Sequence, residues 1–387
     1  MNSVVVRITP KIEQLLADLV SIRSVNPALR GAGPHDSEAQ IGTYVAKLLR
    51  ACGVEVTLQE VLPGRHNVIG HAPRGRLGDE KVILLSAHMD TYPPSLDGGA
   101  EYEPRIESGS LFGRGSADAK GSLAAMLAAF ITTLDSPYRR ESYVVASVDE
   151  EYGLDGCRKL TSHHMRPHLA ITGEPTSLVP IYAQKGIVRT KIRVRGDEVH
   201  AAYPAGNNAM FAVGDVLNAI ATFNGDLALE SSACALGPAT VTPTRIESDG
   251  DMNKTTAEVC IWFDARTLPG TSADDLLQRL HLTVRDRSAT GLKFTIEPPF
   301  FVSPANQCST GDPLVKEFFR KIEAVAGHCS PDVFSYGSEA GVLSSIATAS
   351  LVFGPGDARY AHSPGERVEL SEVAVAAEIY GQILTSP

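Results

Sequence analysis

The run K-V-I-L-L-S-A at 81–87 is short, apolar and unbroken. It constrains the fold more than any other feature of the chain. A strand with one wet face alternates apolar and polar residues, whereas an unbroken apolar strand is covered on both faces, as in the middle of a helix-flanked sheet. Similar runs recur at 143–148, 169–172 and 350–353. Segments of helical character separate them: Lys11 onward, with Thr9-Pro10 as its start and an end before Asn26-Pro27, then 37–52, 123–134, 313–326 and from Ser371. One further strand is expected near 54–59. Strands alternating with helices predict an open α/β sheet.

The rhythm changes after Ala183. G-I-V-R-T-K-I-R-V at 186–194 alternates strictly, and 259–266 does so again, with Cys260, Trp262 and Asp264 on one side. Helices are expected at 210–223 and 274–287, and a strand at 293–297. The chain therefore reads as an α/β catalytic domain made of residues 1–183 and 299–387, interrupted by an α+β domain at 184–298.

Composition narrows the function classes. The formal net charge is −10 and no dense Lys/Arg block stands out, which argues against a nucleic-acid partner. No apolar run approaches the roughly 20 residues that span a bilayer. Met1 to Val20 lacks the layout of a signal peptide, so the expected location is cytoplasmic, with no membrane partner. The six cysteines are scattered, with no C-x-x-C pair, and read as reduced thiols. Any metal must then be held by nitrogen and oxygen.

Such ligands stand just beyond the apolar runs. His88 and Asp90 follow the first, Glu150-Glu151 the second, Glu174 the third, and His362 comes soon after the last. Ligands of open α/β sheets bind beyond the carboxyl ends of strands. Asp90, two residues from His88, can accept the second imidazole N–H. Asp118 lies in the glycine-rich L-F-G-R-G-S-A-D-A-K-G, which lacks either nucleotide-loop spacing. Each residue alone also has a plain reading: a surface histidine near Pro93-Pro94, a helix cap, a solvated acidic turn. Together they suggest a dinuclear site. Asp118, Glu151, Glu174 and one hydroxide balance two divalent cations, and one carboxylate remains for proton transfer.

The motifs S-A-H-M-D-T, G-R-G-S-A-D-A-K-G, D-E-E, G-E-P-T-S-L, Q-K-G, H-A-A-Y-P-A-G-N-N-A, D-A-R-T-L-P-G, G-S-E-A, G-P-G and A-H-S-P-G-E occur in that order over nearly the whole chain. They resemble the M20 metallopeptidase family of zinc amidohydrolases, and within it the acetylornithine deacetylase subfamily. The resemblance implies a zinc-aminopeptidase-like catalytic domain with an inserted lid and dimerisation domain. It implies two divalent ions, zinc first with cobalt or manganese as alternatives: His88 and Glu174 on one, Glu151 and His362 on the other, Asp118 bridging. Glu150 would be the general base and acid, Asp90 would orient His88, and a cis bond is expected at Asp118-Ala119. His200 would polarise the scissile carbonyl, often in the partner subunit of a dimer. Val199 and Glu198 precede it where a small residue is usual. Asn253 and Arg266 match substrate-binding positions, and Glu339 would recognise a substrate amine. His163-His164 has no such context and reads as surface. The implied substrate is an N-acyl amino acid. Succinyl-diaminopimelate desuccinylase and M20 dipeptidases or carboxypeptidases are the alternatives within the class. An inactive amino-acid-binding relative is the alternative outside it, but it would lack a ligand or the base, and none is missing.

Overall fold

The structure, a computed structural model, describes residues 11–95, 101–203, 206–231, 233–287 and 293–385. It divides into two compact units: Met1–Tyr182 with Gln307–Asp332 and Ser338–Pro387, and Ala183–Asn306 with Val333–Gly337. Each is a mixed α/β or α+β assembly around its own apolar core.

In the first unit the strands lie side by side in the order Glu55–Leu62, Arg65–Ala72, Glu141–Ser147, Val82–His88, Leu169–Thr172, Ala349–Val352. Val82–His88 is parallel to both of its neighbours, and Ala349–Val352 is parallel to Leu169–Thr172. The apolar runs are buried almost throughout, as their lack of alternation requires. Parallel pairing places the carboxyl ends of these strands on one edge, with His88 opposite Ser147 and Ser86 opposite Thr172.

The helix Gly121–Thr132 packs against the sheet and against Leu370–Leu384. Every residue from Gly121 to Ile131 is buried, which explains its apolar composition all round. The first helix runs Ile12–Ser21, while Thr9 and Pro10 lie outside the described residues. No helix of the described residues is long and apolar enough to cross a membrane. All six cysteines are free thiols.

The strand Arg65–Ala72 was not evident from the sequence. His66, Asn67 and His71 break its apolar run, yet most of it is buried. Asn67 satisfies its amide inside the fold, donating to Gln59 and to the Gly156 carbonyl and accepting from the Val148 N–H.

The second unit has one five-stranded sheet, in which Thr240–Ser248, Glu258–Thr267, Gly186–Arg195 and Lys293–Ile296 are successive neighbours. Val259, Ile261, Phe263 and Ala265 face the core under the helices Ala209–Glu230 and Ala273–Arg287, while Trp262 turns outward and its indole N–H donates to Glu247. Thr240–Ser248 escaped the sequence reading because Pro243 interrupts it. The strand tolerates this at the sheet edge, with a register shift between Pro243 and Arg245. Phe301–Ser303 pairs with Gly186–Arg195, so the unit extends to Asn306 rather than ending at 298. The helix expected at 210–223 continues to Glu230, with Leu227 buried in the same core, and Asn224 bonds the main chain of Val241 at both ends of its amide.

Candidate active site

His88 ends its strand with a fully buried imidazole. Its Nδ1 lies 2.9 Å from the main-chain oxygen of Asp90, and its Nε2 lies 3.0 Å from Asp118 Oδ1. The Asp90 carboxylate is farther from Nδ1, at 3.6 Å. Its oxygens instead accept the N–H groups of Glu150 (3.1 Å) and Glu151 (3.0 Å) and the Asn26 amide (2.8 Å). The main-chain carbonyl of Asp90 thus orients the imidazole, and its side chain holds the two glutamates in place. The carboxylate expected as acceptor from the spacing still faces the imidazole, behind this carbonyl.

The acidic turn after Glu141–Ser147 leaves the extended conformation at Asp149, whose φ is 67°. Asn26 and Arg65 both donate to the Asp149 carboxylate at 3.0 Å, and Glu38 accepts its N–H. Glu38 and Arg65 are themselves paired and buried. Neighbouring side chains of a strand point to opposite faces. This left-handed step removes that restriction from Glu150 and Glu151.

Asp118 sits in the irregular turn Ser116–Lys120, with a cis bond to Ala119. Gly115, at φ 80°, opens the turn, and a Cβ there would come within 2.6 Å of Thr91 Cγ2. The two oxygens of Asp118 face different histidines: Oδ1 meets His88 Nε2, and Oδ2 lies 3.2 Å from His362 Nε2. His362 also meets Glu151 Oε1 at 3.0 Å, and its ring stacks on Tyr92 with centroids 4.4 Å apart.

Two donor sets result, His88–Asp118–Glu174 and Asp118–Glu151–His362, each with one ligand atom per residue and all such atoms within 4.8 Å of one another. Among the described residues the side chains of Glu150 and Glu174 have no hydrogen-bond partner. Burial, with the neighbouring acids, holds both well above the ordinary carboxylate range, and burial also raises Glu151. Burial works to lower His362, but hydrogen bonds to Asp118 and Glu151 outweigh it and raise the imidazole to about 11. Burial acts to raise Asp118, yet its bonds to the two histidines hold it below its usual range. A buried acidic cluster of this kind takes up protons or cations. Imidazole nitrogen and carboxylate oxygen arranged as two triads sharing one carboxylate suit two divalent ions.

Glu339 departs from expectation. It is completely buried and accepts from Ser86 Oγ at 2.9 Å, with burial raising its carboxyl. In this structure it is not open to a substrate amine. The remaining sequence candidates lie in the second unit. His200 is exposed and pairs in an isolated bridge with Lys254. Glu198, next but one to it, is engaged by Lys254 at 2.8 Å. Asn253 is exposed, and its carbonyl accepts the Ala201 N–H. Arg266 donates to Asp264 at 2.7 Å. His163 packs edge-on to Tyr143, outside either donor set.

Residues 84–386 match Peptidase family M20/M25/M40, so the chain belongs to that family and is a hydrolase of amide bonds. Among relatives, an acetylornithine deacetylase of Aliivibrio fischeri (strain ATCC 700601 / ES114) is 28% identical over 385 residues, covering 97% of this chain and 98% of the relative. Among solved structures, the aminopeptidase PepT of Bacillus cereus superposes with a TM-score of 0.78 at 20% identity, over 97% of this chain and 98% of that one. The Bacillus subtilis YXEP protein, described as a dinuclear metal binding peptidase from the M20 family, has a TM-score of 0.72 at 12% identity, over 96% of each chain.

Proposed function

We propose that the chain is a dinuclear-metal amidohydrolase that releases the acyl group from an N-acyl amino acid. The observation that carries this reading is the division of Asp118, one oxygen toward His88 and the other toward His362. His88, Asp118 and Glu174 would hold one ion, and Asp118, Glu151 and His362 the other. Zinc comes first by donor chemistry, and cobalt and manganese suit the same set. When bound, the ions supply Lewis acidity toward the scissile carbonyl and lower the pKa of a water molecule.

The chain's own residues do the rest. Glu150 takes the proton of the attacking water on its carboxylate and delivers it to the leaving amine. Its burial, with a raised proton affinity, suits both halves of that transfer. Asp90 keeps Glu150 and Glu151 in register through their N–H groups. His200 supplies a donor for the developing oxyanion. Arg266 and Asn253 bind the amino-acid portion, the guanidinium fork suiting a carboxylate. On this reading the enzyme is cytoplasmic and pairs with a second copy through its second unit.

The test is metal analysis of the reconstituted protein together with a substrate panel. Two equivalents of metal and preference for N-acetyl amino acids over dipeptides and succinylated substrates are expected. Full activity with less than one equivalent would sink the dinuclear reading, and preference for dipeptides would move the substrate class.

A further inference from the structure

Glu366 closes the motif A-H-S-P-G-E, yet the mechanism above gives it no part. It is almost completely buried, 2% exposed, and is no member of either donor set. Its Oε1 accepts the main-chain N–H of Ala117 (3.2 Å) and of Asp118 itself (3.1 Å). Its Oε2 accepts from Arg114, which is buried and donates at its other terminus to Glu101 at 2.5 Å. The Glu366 carbonyl accepts the Gly113 N–H. One residue thereby ties the loop that carries His362 to the turn that carries Asp118, 248 positions earlier.

His88 and Glu174 stand differently. They follow neighbouring parallel strands whose ladder sets their spacing. His362 lies on no strand; the nearest ladder is the short pairing of Arg367–Glu369 with Ser110–Phe112. The contacts that hold His362 near Asp118 Oδ2 are then few: the Tyr92 ring, the Glu151 carboxylate and the tie Glu366 makes to the Asp118 turn. A carboxylate oxygen receiving two main-chain donors is a strong and directional anchor. Residues behind a ligand that fix its orientation typically change metal affinity by roughly 10–100-fold when removed.

We infer that Glu366 is a positioning residue that sets the Asp118–His362 spacing, and that it acts more strongly on the ion held by Asp118, Glu151 and His362 than on the other. Its Oε1 works by accepting the two N–H groups, while Oε2 holds Arg114. The inference rests on the two-ion reading above.

The test is titration of the metal-stripped full-length chain with Co²⁺, followed by calorimetry and by visible absorption. Wild-type protein should take up two equivalents. Glu366→Ala should weaken one of them by roughly 10–100-fold and the other clearly less. In a His362→Ala background, which removes a ligand of the affected ion, the same substitution should change little. Glu366→Gln keeps an oxygen for the two N–H groups but turns an NH2 toward Arg114, so it should restore part of the lost affinity. Glu366→Asp keeps the charge but falls short by one methylene and should not. If the alanine variant fails a thermal-melting check for folding, the Gln and Asp variants carry the comparison alone. Equal weakening of both equivalents, no weakening, or an Asp variant better than Gln overturns the inference while leaving the two-ion reading intact. Fewer than two equivalents in the wild type overturns that reading first.

Discussion

The two donor sets share Asp118 but are built by different means. His88 and Glu174 emerge from adjacent parallel strands, and the backbone ladder that pairs Ser86 with Thr172 fixes how far apart they begin. His362 stands on a loop at φ 58°, held by side-chain contacts: the Tyr92 ring, the Glu151 carboxylate and the Glu366 anchor four residues on. The exposures differ accordingly, 1% for the His88 side chain and 42% for that of His362. A ladder spreads its precision over many main-chain hydrogen bonds, so no one side chain carries it. A loop concentrates it in a few contacts, each open to substitution. The strand-borne set should therefore tolerate changes around it, and the loop-borne set should not.

Glu150 separates binding from chemistry at the shared centre and should show the largest effect. Glu150→Ala should lower kcat by roughly a hundred- to ten-thousand-fold, with both metal equivalents retained on elemental analysis. Near-normal turnover would remove the residue from its role. Asp90→Ala should come next. It releases the N–H groups of Glu150 and Glu151 together, so kcat and affinity for the ion beside Glu151 should both fall. The ion beside His88 should be less affected, because the main-chain carbonyl that orients that imidazole survives the substitution. Equal loss at both ions would mean that the Asp90 side chain supports the whole centre.

Acid provides a graded version of the same comparison. Glu150, Glu174 and Glu151 are raised by burial, and His362 is raised to about 11 by its two carboxylate partners, so all hold protons more tightly than usual. Cations displace those protons, so binding releases protons and apparent affinity falls as pH is lowered. Calorimetry in buffers of different ionisation enthalpy checks this. Binding with no proton release would contradict it. Tyr92→Ala should give the smallest change. Loss of its stacking on His362 is worth about 0.5–1.5 kcal/mol, read as a few-fold weaker loop-borne ion, with Tyr92→Phe close to wild type. An effect on the strand-borne ion would blur the distinction drawn above.

Much of this was legible in the residues before any coordinates. Mostly apolar runs such as Ile83–Ala87 are expected of strands covered on both faces, and polar residues just past such runs gather at one sheet edge. That logic reached His88, Glu150, Glu151 and Glu174. Asp118 and His362 needed the glycine-rich turn and the family resemblance, since neither follows directly on a strand. It did not reach Asn26, Glu38, Arg65, Arg114 and Glu366, which are buried and bonded to partners far along the chain.

By itself the sequence determined the class of sheet, the change of pattern at the second unit and the chemical types of the donors, because burial periodicity and side-chain chemistry are local properties. Only the tertiary structure decided which oxygen of Asp118 faces which imidazole, that the Asp90 side chain serves two glutamates besides facing His88, and that Glu339 is buried. Hydrogen-bond direction and burial depend on what distant segments bring to the same place, and no local pattern encodes that.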